Sequence, residues 1–389
     1  MTLIASFYLY AITALMPVVR PALPFSTTVF DYVNVAFMAL LLLCLSSVGK
    51  IEFRLLAPMF VILLGSLFSM LNTEAPGANI LTLLKEGYLL CFFWTIYNLV
   101  KTKRLLETVA VSWMIVAGVE GALVIAEYLL GGTLRAQGTF ANENMAASYL
   151  GTSLFVVLYP FERRHLLVRG CVLVLCTGGI VATNSISAIL GWSVSGGVMA
   201  CLYVIYGSRR QNALLGLIGA GIVIVISSAV AQSYREHDYL ARLPRSFGGR
   251  FSLWSVGTQE ILQNPMGIGF GPGSFKEVGF IPGGEWGTGH RGELHSDYLS
   301  FLVERGLIGF CGLVCLVATL GGMCWRCIQL APTEAELMWA LGLCGMLVFT
   351  LTDSISHEVL HYRHVWLTVG LIAVQRRLSA SYSYKIRTQ

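Results

Sequence analysis

The chain reads as an all-α integral membrane protein of about 12 transmembrane helices, with one large periplasmic loop between spans 9 and 10. Composition carries the first half of that reading. Hydrophobic residues make up 56% and charged residues 12%, where soluble domains hold about 25% charge, and mean hydropathy is +0.70. The second half comes from apolar stretches that can cross ~30 Å of hydrocarbon, recurring along the whole chain.

In order, these spans fall at 3–19, 28–48, 55–71, 80–100, 106–130, 142–160, 166–183, 186–206, 213–231, 306–325, 335–353 and 358–375. Span 1 lacks a basic n-region and a small-residue cleavage site, so it reads as an uncleaved span. With a cytoplasmic N-terminus, inner loops hold 15 basic residues, from Lys50 to Arg387, and short outer loops hold Arg20, Arg135 and Arg363 alone. That asymmetry is a positive-inside signal and puts both termini in the cytoplasm. The net charge of +5 is a topology signal, and no nucleic-acid module accompanies it. No internal repeat divides the chain, so 1–389 is one membrane domain with 232–305 inserted as an outer loop.

All ten cysteines lie in or beside spans, so the outer loop has no disulfide framework. Cys324 and Cys327 have CxxC spacing without a second pair and read as packing residues. Within spans, Lys85, Glu86, Glu120 and Glu127 must face a polar interior, and Lys85 with Glu120 is a possible structural pair.

The outer loop carries the chemistry-bearing residues. His295 stands next to a helix start that Ser296 or Asp297 can cap. The positive end of a helix dipole disfavours imidazolium, which leaves a ring able to accept a proton from a hydroxyl nucleophile. An interfacial histidine bonded to its own loop is the plain alternative. Gly267, Gly269, Gly271 and Gly273 lack the βαβ surroundings of a dinucleotide loop. They form either a tight turn or a set of amides facing an anion. Arg250 and Arg135 lie near helix starts on the outer side, where guanidinium groups suit a diphosphate. Arg305 and the other loop arginines are equally available to anions. The string His357-Glu358-Val359-Leu360-His361, on an expected helix, is the HExxH pattern of zinc proteases, and His364 adds a third nitrogen.

Taken together these residues resemble a known family. The order Arg250…Trp254, Asn264-Pro265…Gly267-Ile268-Gly269-Phe270-Gly271, then His295-Ser296 with Gly306 and Gly309 behind it, is similar to the O-antigen ligase/O-antigen polymerase superfamily. The string Gly138-Thr139-Phe140-Ala141-Asn142-Glu143-Asn144 resembles that family's Gly-Thr-Phe-x-Asn-x-Asn segment. The resemblance implies a metal-independent GT-C type glycosyltransferase, without cofactor, in the bacterial inner membrane. It takes a glycan from undecaprenyl diphosphate and joins it to an acceptor hydroxyl at the periplasmic face. A ligase uses a lipid A-core sugar; a polymerase uses the next carrier-linked repeat. Ligase chemistry is the leading expectation, with protein O-oligosaccharyltransferase, lipid-linked glycan flippase and, since the HExxH string has only three fixed positions and leaves the outer loop unexplained, membrane zinc protease as remoter alternatives. By the same resemblance His295 is catalytic and Arg250 and Arg135 bind diphosphate. Where members carry Ser-Arg after the seventh span, this chain has Ser185-Ile186, so Arg291 or Arg245 is expected to stand in. Ser296, Asp297, Gly267 and Gly269 support the acceptor or the loop.

Overall fold

A computed structural model describes residues 2–19, 28–44, 52–73, 76–133, 135–160, 166–207, 254–271 and 294–387. Every regular element among them is helical. In chain order these are α1 (Thr2–Leu15), α2 (Val29–Cys44), α3 (Phe53–Ser69), α4 (Pro76–Leu99), α5 (Lys103–Leu130) and α6 (Glu143–Ser153). There follow α7 (Leu166–Thr183), α8 (Ile186–Tyr206), α9 (Asp297–Gln329), α10 (Glu334–Asp353) and α11 (Arg363–Arg387). A helical segment at 254–263 precedes α9. Among the described residues six helices are long and apolar enough to cross a bilayer, and Leu3–Leu15, Val29–Ala39 and Leu167–Thr183 are shorter apolar helices. The expected span at 213–231 and most of the outer loop, with Arg245, Arg250, Gly273 and Arg291, lie outside the described residues.

Three expected spans take a different form. The stretch 142–160 is a short helix, capped by Asn142 on the Met145 amide at 2.8 Å, that continues as a 3-10 turn, Leu154–Leu158. Residues Ala146–Ser153 are all buried, so this element fills the bundle centre. The tenth span starts nine residues early, at Asp297 instead of 306. The last begins at Arg363, because 354–362 is turn and loop.

Helices approach closely where glycines line a contact face, as packing without a hydrophobic drive between helices requires. A Cβ on Gly312 would lie 2.6 Å from the Ile62 amide, and one on Gly65 would strike the Gly309 backbone, so α3 and α9 touch main chain to main chain. Gly121 does the same for α5 and α7, its Cβ position lying 2.6 Å from the Leu175 carbonyl.

Polar ties mark the two ends of the bundle. At one end Arg376 donates to Glu52 at 3.1 Å, and Arg377 donates to the Tyr97 and Val100 carbonyls at 2.6 Å each. Lys103 pairs with Glu336 there. The opposite end holds the α3–α4 turn, the 265–271 loop, the start of α9 and the loop 354–362. The expected pairing of Lys85 with Glu120 does not occur. Glu120 accepts both the amide and the hydroxyl of Thr139 at 2.8 Å, fixing the loop after α5, and Lys85 faces a cavity beside α9.

Candidate functional site

The start of α9 is built around a break. Gly306 sits at φ 67°, ψ −172°, a region only glycine enters readily, and the helical ladder is interrupted there. The freed groups are satisfied by the glycine-rich loop. Ile268 and Gly269 amides donate to the Val303 and Glu304 carbonyls at 3.1 Å, and the Leu307 amide donates to Pro265 at 3.0 Å. Asn79 accepts the Phe270 amide at 2.9 Å, and Asn72 donates to the Gly267 carbonyl at 2.9 Å. The amides of Ile268, Gly269 and Phe270 are thus bonded to the protein's own chain. Between the two sequence readings of Gly267 and Gly269, the structure supports the turn and corrects the anion cradle.

Arg305 is corrected in the same region. It is 4% exposed, forms a two-pronged pair with Glu86, and donates to Ser66 at 2.6 Å. Its guanidinium lies 4.6 Å from the Phe270 ring and 4.5 Å from the Phe301 ring. It joins α3, α4, α9 and the loop, so it is a structural cation rather than one available to a loop-bound anion.

His295 is half-buried in the left-handed region at φ 50°, a conformation in which histidine is enriched among non-glycine residues. Two anchors hold it there. Upstream, Trp254 donates its indole N–H to the Leu294 carbonyl at 3.2 Å, and Leu294 packs with Val303, Val256, Ile268 and Leu299. Downstream, Ser296 is the N-cap of α9, but its hydroxyl makes no capping bond; it reaches the Ser354 carbonyl at 3.4 Å. Asp297 accepts the Val359 amide at 2.8 Å and the Leu360 amide at 3.2 Å.

That last contact overturns the helical HExxH reading. A helix through 357–361 would need the Val359 and Leu360 amides for its own ladder, and Asp297 takes them. The two imidazoles consequently part. His357 Nδ1 lies 3.0 Å from Asp353 and 3.0 Å from Ser187, while His361 lines the cavity. Among the described residues no cluster of metal-ligating side chains forms.

Arg135 donates to Asn144 at 3.0 Å and to the Thr183 carbonyl at 3.3 Å, and it pairs with Glu143. From Asn144 a chain of contacts runs through Ser185 at 3.4 Å, Ser187 at 3.1 Å and His357 at 3.0 Å. The loop that Asp297 anchors is therefore connected to Arg135. Two of the expected site residues are brought into one network, and Ile186 occupies its position at the start of α8 without interrupting it.

Sequence reasoning missed the cavity beside this network. It measures ≈ 1270 Å³, and its polar end is formed by Lys85, Ser300, Glu304, Glu358 and His361. Glu358 accepts the Ser300 hydroxyl at 2.6 Å. Although His361 is exposed toward the cavity, crowding by the surrounding protein and the charges of Arg363 and Lys85 pull its imidazole down to about 4. Its side is open to the cavity, so the ring is neutral and reachable near pH 7. Charged residues at 85 and 304 within apolar surroundings were the available signal.

No curated protein matches the chain. Residues 171–314, from α7 through the glycine-rich loop to His295, Gly306 and Gly309, match the family model described as O-Antigen ligase, so this segment of the chain is similar to that family.

Proposed function

We propose that the chain transfers a glycan from an undecaprenyl-diphosphate carrier to a sugar hydroxyl of an acceptor such as lipid A-core, at the periplasmic face of the inner membrane and without a metal. The family match supports glycan transfer of ligase or polymerase type, and the apolar helices support a multi-pass membrane setting. The observation that carries the reading is the double anchoring of His295, by Trp254 through Leu294 and by Asp297 through the 354–360 loop. A base so positioned contributes roughly 10²–10⁴-fold.

In this reading the acceptor hydroxyl attacks the anomeric carbon and its proton passes to His295. The bond from that carbon to the diphosphate breaks, and the diphosphate leaves as an anion. Arg250, with Arg135 and Arg291, neutralises it, which suits groups that stay charged and grip oxygens two at a time. Both termini are cytoplasmic.

The test uses purified full-length protein, lipid-linked glycan and either a lipid A-core acceptor or a second carrier-linked repeat. Transfer to lipid A-core, lost in His295→Ala and retained in EDTA, is the expected result. Elongation of the carrier-linked glycan alone establishes the polymerase instead. Undiminished transfer by His295→Ala removes the histidine from the mechanism.

A further inference from the structure

The segment between α5 and α6 carries Arg135 on a backbone that is fastened to α5, to α7 and to the turn after α1. The Ala136 amide donates to the Ala182 carbonyl at 3.1 Å, and the Val19 amide donates to the Thr139 carbonyl at 3.1 Å. Glu127 accepts the Gln137 and Gly138 amides at 3.0 and 2.6 Å. Gly138, at φ 57°, leaves to the Glu120 carboxylate the space a Cβ would take. The base of the Arg135 side chain is thus fixed, and its guanidinium meets an anion only where it already lies.

The nitrogens of that guanidinium are divided between two kinds of acceptor. Nε donates to the Thr183 carbonyl at 3.3 Å and one terminal nitrogen to the Asn144 side chain at 3.0 Å, both neutral oxygens. The other terminal nitrogen pairs with the Glu143 carboxylate. The two paired side chains are 36% and 24% exposed, so the charged contact reaches the surface while the neutral ones hold the guanidinium in place. An ion pair this exposed contributes little, at most a factor of about five in an equilibrium. A diphosphate, with more charge and more oxygens than one carboxylate, can displace it. Glu143 does not need the arginine to stay where it is, since an acidic side chain in the first turn of α6 is favoured by the helix dipole.

We propose that Glu143 sets the affinity of an anion site at Arg135. Its carboxylate fills the guanidinium while the site is empty, gives way when a diphosphate binds, and returns as the diphosphate leaves. The choice of diphosphate rests on the transfer reading above, in which Arg135 neutralises the leaving group. Binding is then an exchange of anions, and its apparent strength is reduced by the fraction of time Glu143 holds the site. Glu143 acts through Arg135 and touches no reacting atom.

The experiment is calorimetric titration of inorganic diphosphate, in buffer free of divalent ions, into the full-length protein in detergent. Glu143→Gln should bind about fivefold more tightly than wild type, the factor that loss of one exposed competing carboxylate supplies. Glu143→Ala should reproduce that gain, and Glu143→Asp, which keeps the charge, should return the affinity toward that of wild type. The gain should vanish when Glu143→Gln is placed in an Arg135→Gln background. Unchanged or weaker binding by both neutral variants overturns the proposal. So does a gain of equal size without the arginine, which is a long-range charge effect, and so does a lack of binding by every protein in the set. Transfer from lipid-linked glycan is measured separately. The arginine-dependent gain without transfer by wild type removes the glycan-transfer reading alone, and transfer without the gain removes this proposal alone.

Discussion

The Asp297 carboxylate accepts the Val359 amide at 2.8 Å across 62 positions of sequence. Through this bond the first residue of α9 fixes the loop between α10 and α11. On one side of that loop His357 meets Ser187 and, through it, the Arg135 network. On the other, Glu358 and His361 face the cavity. A single buried side chain thus sets the relative placement of groups drawn from four segments.

Asp297→Ala should reduce transfer by more than tenfold while the protein still inserts and purifies as a monodisperse species. Removing the acceptor strands two buried amides, each worth about 1–3 kcal/mol, and releases the loop. Asp297→Asn, which keeps one carbonyl oxygen, should recover part of the loss. Turnover of both variants beside size-exclusion profiles checks this; equal activity in all three proteins rules out the anchoring role.

Gly306→Ala should be strongly destabilising. Its φ of 67° with ψ −172° carries about 1–3 kcal/mol of backbone strain for any other residue. The new Cβ would also sit 2.6 Å from the Pro265 carbonyl oxygen. Thermal unfolding in detergent should show a clear drop in midpoint, larger than that of Gly196→Ala, where a Cβ meets nothing within 4 Å.

Replacing Arg305 with leucine should lower stability, because the buried guanidinium that joins Ser66, Glu86 and the Phe270 loop is lost and the half-buried Glu86 is left without its cation. Arg305→Leu combined with Glu86→Leu should recover a substantial part of that, and the non-additivity is the diagnostic quantity. If the double substitution is as unstable as the sum of the singles, the pair is not coupled.

Acid should loosen the loop 354–362 through His361. Its imidazole titrates at about 4 in the fold and near 6.5 when unfolded. Because the unfolded state takes up the proton first, the stabilisation is complete above about pH 6.5 and lost as pH falls toward 4. His361→Asn should flatten the pH dependence of the unfolding midpoint over that window. A wild-type profile that is already flat there contradicts the lowering of the imidazole by its surroundings.

The membrane helices were legible because hydropathy is a property of consecutive residues, and the glycine spacing at 306 and 309 was visible as a string. Its meaning was not. Gly306 serves a backbone break and Gly309 a close contact with Gly65, and only the neighbouring α3 and the 265–270 loop distinguish the two. The place of His295 just before a helix start was legible, whereas the cavity was not, since Lys85, Glu304 and Glu358 come from three distant segments. At the HExxH string, expected on a helix but not as a metal site, only the helix fails to appear. A helix-compatible sequence was held open by a carboxylate that no local pattern reveals.

The break at Gly306 also changes how the bilayer can act on the protein. Below it, residues 307–329 form an apolar rod whose tilt in the hydrocarbon is set by its close packing on α3 at Gly309 and Gly312. Above it, residues 297–305 are fastened to the loop 265–270 and to Val359, and share no continuous helical ladder with the rod. A bilayer of different thickness therefore meets α3 and residues 307–329 as one packed pair, and residues 297–305 are joined to that pair through one glycine and not through a continuous helix.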